Sequence, residues 1–456
     1  MTNRRTFIKR MIGAGLTVGA ANRVRELEAQ SRPNPPQNLR IVADAGTGAS
    51  ASGSVLQTSD LSYAGYYDLA RGLGGTLPEW GQGFTFRYVN GQLRFFTCGL
   101  MNGGLCLIEF AAPSALGGLV TDVTGSWSSI ADGGNHLGLW WEEAHQRLWA
   151  TVAPDYPDNA GTVDVHAITT RTLNPDGTYS DVHGPVGLTG VGTRAIYGGA
   201  QPVPSWFQQQ YGVGPYVVGF GGYTSRMAQG LACSMGPSCF AMPDPASIAD
   251  QTSNFKSLLD YRSGTTTLDW YAQGHPTTFD RGVRNSDVIN YYDNGDPRQN
   301  PSTPPTVPPA ASAQWVSPAP DGLGRFIWGD SFNNTGCWID TPNKRGLLLV
   351  ASLGSGNAYY MSSQGYTDRK SFEVQIFDPA DLGKAAQRRV SPWLVRPASR
   401  QVITLPGLGG PNNSGIAPAG GVGGAAYDPM TKLLYLYGVW MNDTIQNRIY
   451  VYQVNA

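Results

Sequence analysis

The fold is decided by one stretch near the C-terminal end, Gly423-Gly424-Ala425-Ala426-Tyr427-Asp428-Pro429-Met430-Thr431-Lys432-Leu433. A glycine opens an apolar strand, a polar turn follows, and a second apolar strand begins about ten residues after the glycine. Residues 83–93, 138–148 and 336–347 repeat this template. The turns repeat too, because the sequences Asp-Pro-Met-Thr-Lys and Thr-Pro-Asn-Lys-Arg are typical of hairpin turns. Such repetition indicates one structural unit used several times.

Each unit continues into a three-stranded meander. The second strands are predicted at Leu93–Cys98, Leu148–Ala153, Leu347–Leu353 and Leu433–Val439, and the third strands at Leu105–Phe110, Thr162–Ile168, Ser371–Phe377 and Arg448–Val454. A further unit with a longer first turn is predicted from Arg194–Tyr197, Tyr216–Phe220 and Gln229–Met242. Meanders that cannot bury their faces alone are typical of a β-propeller. We therefore predict an all-β propeller whose five blades begin near Trp80, Gly134, Val191, Phe332 and Ala419.

Other architectures remain open from sequence alone. A β-sandwich with unrelated hairpins is one, and a parallel β-solenoid is another, although unequal repeat lengths disfavour the solenoid. Residues 246–325 hold either a sixth blade or a loop insertion, and the proline-rich run 300–309 within them is predicted to be a surface loop.

The last unit lacks an outermost strand, and we predict that Leu61–Leu69 supplies it and closes the ring. Residues 31–55, rich in proline, alanine, glycine and serine, are predicted to be a tether. The predicted organisation is therefore a leader at 1–30, the tether at 31–55, and one propeller domain at 56–456.

Composition excludes several classes of protein. The 456 residues contain 32 Lys+Arg and 33 Asp+Glu, so the net charge is −1, which argues against a nucleic-acid-binding surface. Only 14% of residues are charged, while 59 glycines and 32 prolines argue against helical bundles and coiled coils.

The N-terminus predicts export. The motif Asn3-Arg4-Arg5-Thr6-Phe7-Ile8-Lys9 precedes a short apolar run from Met11 to Ala21, as in a twin-arginine signal peptide, with cleavage near Ala21 or Ala29. No later segment is long and apolar enough to predict a membrane span. We expect a periplasmic or secreted protein whose partner during export is the twin-arginine translocase.

Five cysteines suggest two disulfides. Cys98 and Cys106 straddle one turn, and Cys233 and Cys239 straddle another, so cross-strand disulfides and reduced buried thiols are the two readings of each pair. Cys337 is predicted to be a core thiol.

Propeller topology sorts the polar residues onto two ends. The chain enters each first strand at the end where it also passes from second to third strand; we call this the entrance end. The first hairpin turn lies at the opposite end, the turn end, where Glu142, Glu143, His145, Lys344, Arg345 and Lys432 are predicted to be solvated turn residues.

Candidate site residues fall at the entrance end. The catalytic candidates are His136, Asp132, Asp330 and Glu79. The substrate-binding candidates are Trp80, Gln82, Asn135, Tyr156, Arg194, Tyr223, Arg226, Asn333, Asn334, Tyr360 and Trp440. A neutral imidazole serves as a general base or a metal ligand, paired carboxylates suit glycosidic hydrolysis, aromatic rings stack on sugars, and arginine neutralises a uronate. The structural alternatives are a histidine bonded to backbone carbonyls, acidic turn residues, and aromatics packed between blades.

No cofactor is required by the sequence. The sequence has no zinc-ligand spacing and no intact calcium loop, and only weak calcium binding by Asp155, Asp158 and Asn159 is considered. The block Gly329-Asp330-Ser331 resembles a lipase and esterase motif, but the histidine that such a motif needs downstream is absent, since the last histidine is His275.

The stretch Leu56-Gln57-Thr58-Ser59-Asp60-Leu61-Ser62-Tyr63-Ala64-Gly65, followed by the meanders, resembles a class of exported, largely uncharacterised bacterial β-propeller proteins. The resemblance implies the fold and export, and it implies no catalytic residues.

Three functions are compatible with these features. The first is a carbohydrate-active hydrolase or lyase acting on extracellular polysaccharide. The second is a non-catalytic propeller that binds a glycan, a peptide or an envelope partner. The third is a metal- or quinone-dependent oxidoreductase. Fold alone does not rank them.

Overall fold

A computed structural model describes the chain at 53–70, 73, 83–101, 104–128, 135–153, 165–189, 200–219, 238–248, 251–260, 335–361, 364–390, 392, 395, 397–408, 421–439 and 445–456. These residues include the four segments that repeat the sequence template, whereas some of the other predicted strands lie wholly or partly outside them.

The described strands form five sheets, three of five strands and two of four. In each sheet four strands pair antiparallel, and we call these five sets blades 1 to 5. Blade 1 contains β3 (Phe84–Val89), β4 (Gln92–Met101), β5 (Gly104–Ala111) and β7 (Gly125–Ser128). Blade 2 contains β8 (Asn135–Glu142), β9 (Arg147–Ala153), β10 (Val165–Leu173) and β11 (Tyr179–Leu188). Blade 3 contains β12 (Ala200–Pro202), β13 (Tyr216–Gly219), β14 (Ser238–Met242) and β16 (Lys256–Asp260). Blade 4 contains β17 (Thr335–Asp340), β18 (Lys344–Met361), β19 (Gln364–Phe377) and β20 (Ser399–Ile403), and blade 5 contains β21 (Gly421–Asp428), β22 (Leu433–Val439), β23 (Ile445–Val454) and β2 (Leu61–Ala70).

The first strands of the blades form a closed ring. β3 contacts β8, β8 contacts β12, β12 contacts β17, β17 contacts β21, and β21 returns to β3. This radial order confirms the predicted five-bladed propeller and excludes the sandwich and the solenoid. β12 and β17 contact each other directly, so blades 3 and 4 are neighbours in the ring. Of the stretch 246–325, where a sixth blade or an insertion was predicted, residues 261–325 lie outside the described part of the chain.

The glycine of the repeat is explained by this ring. A Cβ added to Gly424 would lie 2.3 Å from the Cβ of Phe84, so β21 and β3 approach too closely for any side chain. At Gly83 an added Cβ would lie 2.9 Å from Leu139 Cγ, and the φ angle of +100° is itself favoured by glycine. The glycines therefore allow the innermost strands to pack around the axis.

The ring closes through the strand that the sequence predicts. β2 pairs antiparallel with β23, from Leu61 opposite Val454 to Ala70 opposite Ile445. The predicted outermost strand Leu61–Leu69 is confirmed.

Three two-residue strands join neighbouring blades, and we call them straps: β1 (Ser54–Val55), β6 (Leu119–Val120) and β15 (Gln251–Thr252). Each strap directly precedes the fourth strand of one blade and pairs in parallel with the preceding blade of the ring. β1 pairs with β18, β6 with β2, and β15 with β11. The straps therefore supplement the packing between adjacent blades with backbone hydrogen bonds.

The first strand of blade 3 differs from the prediction. It is Ala200–Pro202, whereas the predicted run Arg194–Tyr197 lies outside the described residues. The long first turn of this blade contains a helix, α1 (Ser205–Tyr211), and a second helix, α2 (Pro379–Ala386), follows the third strand of blade 4. Proline at 202 and 204 limits the strand and precedes the helix, so the strand is too short to show the apolar repeat. Single 3-10 turns occupy Thr58–Asp60 and Pro245–Ser247.

Aromatic and aliphatic side chains fill the spaces between blades. Phe84 of blade 1 stacks on Tyr437 of blade 5, with ring centroids 5.4 Å apart, and Phe96 of blade 1 stacks on Trp141 of blade 2 at 5.8 Å. Trp149 of blade 2 packs against Tyr216 of blade 3 at 4.4 Å. Burial of these aromatic side chains is the main contribution to the stability of the five-bladed ring.

Of the two readings of the first cysteine pair, buried thiols without a disulfide is the correct one for Cys98 and Cys106. Cys98 is opposite Leu107 in the β4–β5 ladder, while Cys106 is opposite Gly99. Because neighbouring residues of a strand point to opposite faces, the two thiols lie on opposite faces of blade 1. Cys239 is also buried, and its suggested partner Cys233 lies outside the described residues, so the second pair stays a prediction.

Cys337 is confirmed as a core thiol, and burial raises its pKa to about 12. In the part of the chain that the structure describes, no helix has the length and apolar character needed to cross a membrane.

Candidate functional site

The entrance end is defined by how the two inner strands of each blade pair. The pairs that mark this end are Phe84 with Thr97, Asn135 with Ala153, Ala200 with Val218, Thr335 with Val350, and Gly421 with Val439. The starts of two innermost strands meet there directly, since the Gly83 amide donates to the Gly423 carbonyl at 2.8 Å. All five innermost strands therefore begin around one end of the axis.

Two of the predicted site residues begin the innermost strand of blade 2. The backbone of Asn135 pairs with Ala153 and that of His136 with Val152, and an irregularity in the ladder follows before Gly138. Tyr360 lies near the tip of the long β18–β19 hairpin, where its backbone pairs with Gly365. This hairpin continues eleven residues beyond Val350, the residue of β18 that faces the start of β17.

The remaining predicted site residues lie outside the described part of the chain: Asp132, Asp330, Glu79, Trp80, Gln82, Tyr156, Arg194, Tyr223, Arg226, Asn333, Asn334 and Trp440. Their positions in sequence are nevertheless adjacent to described strand ends. Asp132 precedes β8, Asn334 immediately precedes β17, and Gln82 immediately precedes Gly83.

Two buried polar contacts lie at this end, in blades 5 and 1. Asn447 Nδ2 donates to the Tyr437 hydroxyl, and Thr97 Oγ1 donates to the Gly83 carbonyl at 3.0 Å. The three side chains are completely buried, and burial raises the pKa of Tyr437. Sequence analysis missed these contacts, although Thr97 and Asn447 are visible as polar residues within the strands β4 and β23.

The turn end is built differently, and the prediction of solvated turn residues is wrong for Glu142. Its carboxylate is buried between blades 2 and 3, where it accepts hydrogen bonds from Arg147, Trp149 Nε1 at 3.0 Å, the Tyr216 hydroxyl and His145 Nδ1. Burial acts to raise the pKa of Glu142, but the hydrogen bonds together lower it to about 2. Arg147 also binds Asp244 of the blade 3 segment at 2.9 Å.

Lys344 and Arg345 are half-buried and ion-paired rather than solvated. Lys344 of blade 4 pairs with Asp60 at 3.2 Å, next to the closing strand β2 of blade 5. Arg345 pairs with Asp340 at 2.9 Å and lies 4.5 Å from the centroid of a Trp206 ring. Glu143, His145 and Lys432 are exposed, as predicted.

At the turn end, polar contacts also join neighbouring blades at other boundaries. Asp428 of blade 5 accepts a hydrogen bond from the Tyr88 hydroxyl of blade 1 at 2.7 Å. Arg87 of blade 1 lies 4.9 Å from a Trp141 ring centroid in blade 2. Trp206 Nε1 of blade 3 donates to Asp340 of blade 4 at 3.1 Å. Asp428, Arg87 and Asp340 therefore contribute contacts that join neighbouring blades.

Among the described residues, no group of three or more His, Cys, Asp or Glu side chains is arranged to hold a metal ion. The calcium candidates Asp155, Asp158 and Asn159 lie outside those residues.

Comparisons with known proteins give structural neighbours of low similarity. No family model matches the chain, and no curated protein matches it significantly in sequence. The solved structure of an α-L-arabinofuranosidase from Podospora anserina in complex with cellotriose is 9% identical, with 89% of this chain and 100% of that chain covered and a TM-score of 0.34. An α-L-arabinofuranosidase from Fusarium graminearum is 8% identical, with 85% and 97% covered and a TM-score of 0.31. A xylan β-1,4-xylosidase from Bacillus halodurans is 9% identical, with 65% and 42% covered and a TM-score of 0.29. At these values the propeller assignment rests on the strand pairing of the chain itself.

Proposed function

We propose that this chain is an exported carbohydrate-active β-propeller, a hydrolase or lyase that acts on extracellular polysaccharide at the entrance end. One observation carries the proposal: the five innermost strands begin around the same end of the axis. The segments that lead into β3, β8 and β17 carry Glu79, Asp132 and Asp330 respectively. The proposal therefore places residues that are far apart in sequence at one opening.

In this proposal His136 acts as the general base, because it begins the innermost strand of blade 2. Asp132 or Asp330 orients its imidazole. Two of the three carboxylates Glu79, Asp132 and Asp330 flank the glycosidic bond, as acid and base or as acid and nucleophile.

The binding residues have roles that follow from their chemistry. Rings stack on sugar faces, amides hydrogen-bond hydroxyl groups, and the guanidinium groups of Arg194 and Arg226 neutralise a uronate. The rings are those of Trp80, Tyr156, Tyr223, Tyr360 and Trp440, and the amides are those of Gln82, Asn135, Asn333 and Asn334.

The acidic residues of the turn end bind neighbouring blades, and this supports placing the site at the entrance end. Glu142, Asp340 and Asp428 each contact a side chain of a neighbouring blade, so their hydrogen-bonding capacity is used in holding the ring. A catalytic acid must instead be available to substrate and exchange protons with it.

A second candidate, a propeller that binds glycan without cutting it, is favoured by a separate observation. The buried carboxylates in the described residues are engaged, Asp68 with Arg448, Glu109 with Arg87 and Arg94, and Glu142 with Arg147. Glu373 and Asp428 are engaged as well. The described strands therefore supply a scaffold for ligand binding, and any catalytic acid must come from the connecting segments.

Export is part of the proposal and is supported by the paired Arg4 and Arg5 before an apolar run. Replacing both arginines with lysine should retain the protein in the cytoplasm of a bacterial host, and continued export of the variant would contradict this route.

The function is tested by incubating the purified protein with a soluble β-1,4-glucan, a xylan and polygalacturonate. Reducing ends report hydrolysis, and the ultraviolet absorbance of unsaturated uronates reports elimination. His136→Ala should lose at least about a hundredfold in rate, as expected for loss of a general base. His145→Ala is the matched control, because His145 is an exposed histidine at the turn end.

Each outcome decides between the candidates. Cleavage by the wild type and by His145→Ala, with loss in His136→Ala, supports the catalytic proposal. Binding without cleavage supports the second candidate. Neither binding nor cleavage of any of the three polymers would overturn both, and equal cleavage by His136→Ala would overturn the assigned site.

A further inference from the structure

The outer strand of blade 5 is covered at both of its ends but not between them. At its start, the Leu61 amide donates to the Thr58 carbonyl of the preceding turn. Further along, the Gly117 amide donates to the Tyr66 carbonyl at 2.7 Å, and the strap β6 then pairs with β2. Among the described residues, no strand pairs with the outer side of residues 62–65, which we call the open edge.

Tyr63 presents its backbone groups to this open edge. The Asn455 amide donates to the Asp60 carbonyl at 2.8 Å, so Asp60 faces β23. Because the hydrogen-bonding groups of successive strand residues point to opposite sides, Ser62 faces β23 as well, and the amide and carbonyl of Tyr63 point outward. The Tyr63 side chain is 45% exposed and packs edge-on against Tyr452, with ring centroids 5.4 Å apart. The open edge therefore offers one donor, one acceptor and an aromatic ring.

An apolar patch surrounds the open edge. Three of the six large hydrophobic side chains that are exposed in the described part of the chain lie here: Tyr63, Leu116 and Leu119. Leu116 lies against Gly65, because a Cβ added to that glycine would be 3.1 Å from Leu116 Cδ1. Leu119 pairs with Asp68 in the β6–β2 ladder. The grouping of half of these exposed apolar side chains at one place is typical of an interaction surface.

The composition of the patch indicates which partner it fits. Residues 61–67 of β2 and residues 111–119 of the neighbouring segment contain no charged residue. Asp68, which follows the first of these stretches, is neutralised by Arg448 at 2.6 Å. When a surface binds a second copy of itself across a two-fold axis, charges near the axis lie close to identical charges. An uncharged patch avoids this repulsion and is therefore complementary to itself.

The outer strands of the other blades are less suited to such self-pairing. Proteins protect a sheet edge with charged residues, with proline or by keeping the strand short. The outer strands of blades 2, 3 and 4 carry Asp181, Lys256 and Arg400 respectively, and that of blade 1 has only four residues. The open edge of blade 5 contains neither a charged residue nor proline, so a second copy can approach it without like charges facing each other.

We propose that a second copy of this chain binds at the open edge, with the two edges antiparallel across a two-fold axis near Tyr63. The Tyr63 amide of each copy donates to the Tyr63 carbonyl of the other, so the two fifth blades form one continuous sheet. The apolar side chains around the two edges are then buried against each other. The patch is smaller than the roughly 20–30 residues that each side of a standard interface contributes, so the dimer is weak, with a Kd of roughly 10–100 μM. The inference does not depend on the proposed function.

Sedimentation velocity of the purified protein tests the dimer. The sedimentation coefficient should rise as the concentration increases from about 1 μM to about 300 μM, a range that spans the expected Kd. Tyr63→Lys brings like charges together at the axis and should weaken association at least about tenfold. Leu119→Lys changes an exposed side chain further from the axis and should weaken association about threefold.

Val402→Lys is the matched control, because Val402 is an exposed residue of the outer strand of blade 4. It should leave association unchanged. A mixture of Tyr63→Lys and Tyr63→Glu should associate more tightly than either variant alone, since opposite charges then meet at the axis. This recovery would also show that Tyr63→Lys is folded.

Three outcomes would overturn the inference. The first is a constant sedimentation coefficient from about 1 μM to about 300 μM, whether the open edge is free, is covered by another segment of the chain or binds a different partner. The second is equal weakening by Val402→Lys, and the third is no recovery in the mixture, because association would then not use this edge. Polysaccharide binding at the entrance end is measured separately, so failure of the proposed function leaves this test intact.

Discussion

The two ends of this propeller use polar residues differently. At the turn end, buried or half-buried charges connect neighbouring blades, as Glu142 does with Tyr216 and Lys344 with Asp60. At the entrance end, the described buried polar contacts join uncharged groups, Asn447 with Tyr437 and Thr97 with the Gly83 carbonyl, and most of the ionisable candidates lie outside the described residues. A charged residue in a hairpin turn of this fold therefore indicates a contact between blades more than a catalytic group.

The physical reason lies in the cost of burying charge. A carboxylate removed from water needs several donors to be tolerated, and Glu142 receives them from two blades. Such a group is rigid and has little capacity left for a ligand. In the proposed function the opposite end draws most of its ionisable residues from segments that join strands, and such segments are where binding specificity is usually found.

The largest expected effect comes from removing the cation at the turn end. Arg147→Ala leaves the buried Glu142 and the adjacent Asp244 without their shared partner, so the free energy of unfolding should fall by about 3–5 kcal/mol. Urea denaturation measures this loss. Polymer binding by the folded fraction should be unchanged, because the change lies at the far end of the blades.

Lys384→Ala is the control for that experiment. Lys384 forms a partly exposed pair with Asp381 at 2.8 Å on one helix, and its loss should cost less than about 0.5 kcal/mol. A comparable loss for both variants would contradict the distinction between inter-blade and surface pairs.

Acid should weaken the turn end through the same carboxylate. The pKa of Glu142 is about 2 in the fold against an ordinary value of 4.5, so its stabilisation is fully present above pH 4.5 and is lost as the pH falls towards 2. Between pH 6 and pH 3 we expect a loss of about 2 kcal/mol from this group. Urea denaturation of the wild type and of Glu142→Gln at both pH values measures it, and equal pH dependence of the two proteins would exclude Glu142 as the source.

The smallest expected effect compares one hydroxyl at each end. Tyr88→Phe removes the hydrogen bond to Asp428, which keeps donors from Thr431 and the Met430 amide, so the loss should be about 0.5–1 kcal/mol. Tyr437→Phe should cost a similar free energy of unfolding. Urea denaturation measures both losses, and a loss above about 2 kcal/mol in Tyr88→Phe would show that the remaining donors do not satisfy Asp428.

The architecture was visible in the sequence because it is periodic. The glycine, the turn and the two apolar strands recur, and the incomplete last unit pointed to Leu61–Leu69 as its missing strand. Blade 3 was placed less well, since its first strand has only three residues and its turn contains α1.

Side-chain roles were harder to predict because they depend on register and on neighbouring blades. Cys98 and Cys106 would face each other if the hairpin register were shifted by one residue, and nothing in the sequence fixes that register. Glu142 and Glu143 are adjacent residues of the same type, yet only Glu142 is buried and bonded to Tyr216 of the next blade. The catalytic and binding candidates at the entrance end stay predictions, as most lie outside the described residues.

The pairing of β2 with β23 also has a consequence for biosynthesis. Asn455 bonds Ser62 across 393 positions of the chain, so the ring cannot be completed until the ribosome has made the final strand. A nascent or truncated chain would expose the apolar flanks of blades 5 and 1 and would be a substrate for chaperones and proteases. Pairing of β2 with β23 therefore distinguishes the closed ring, whose apolar flanks are covered, from an incomplete chain whose flanks are exposed.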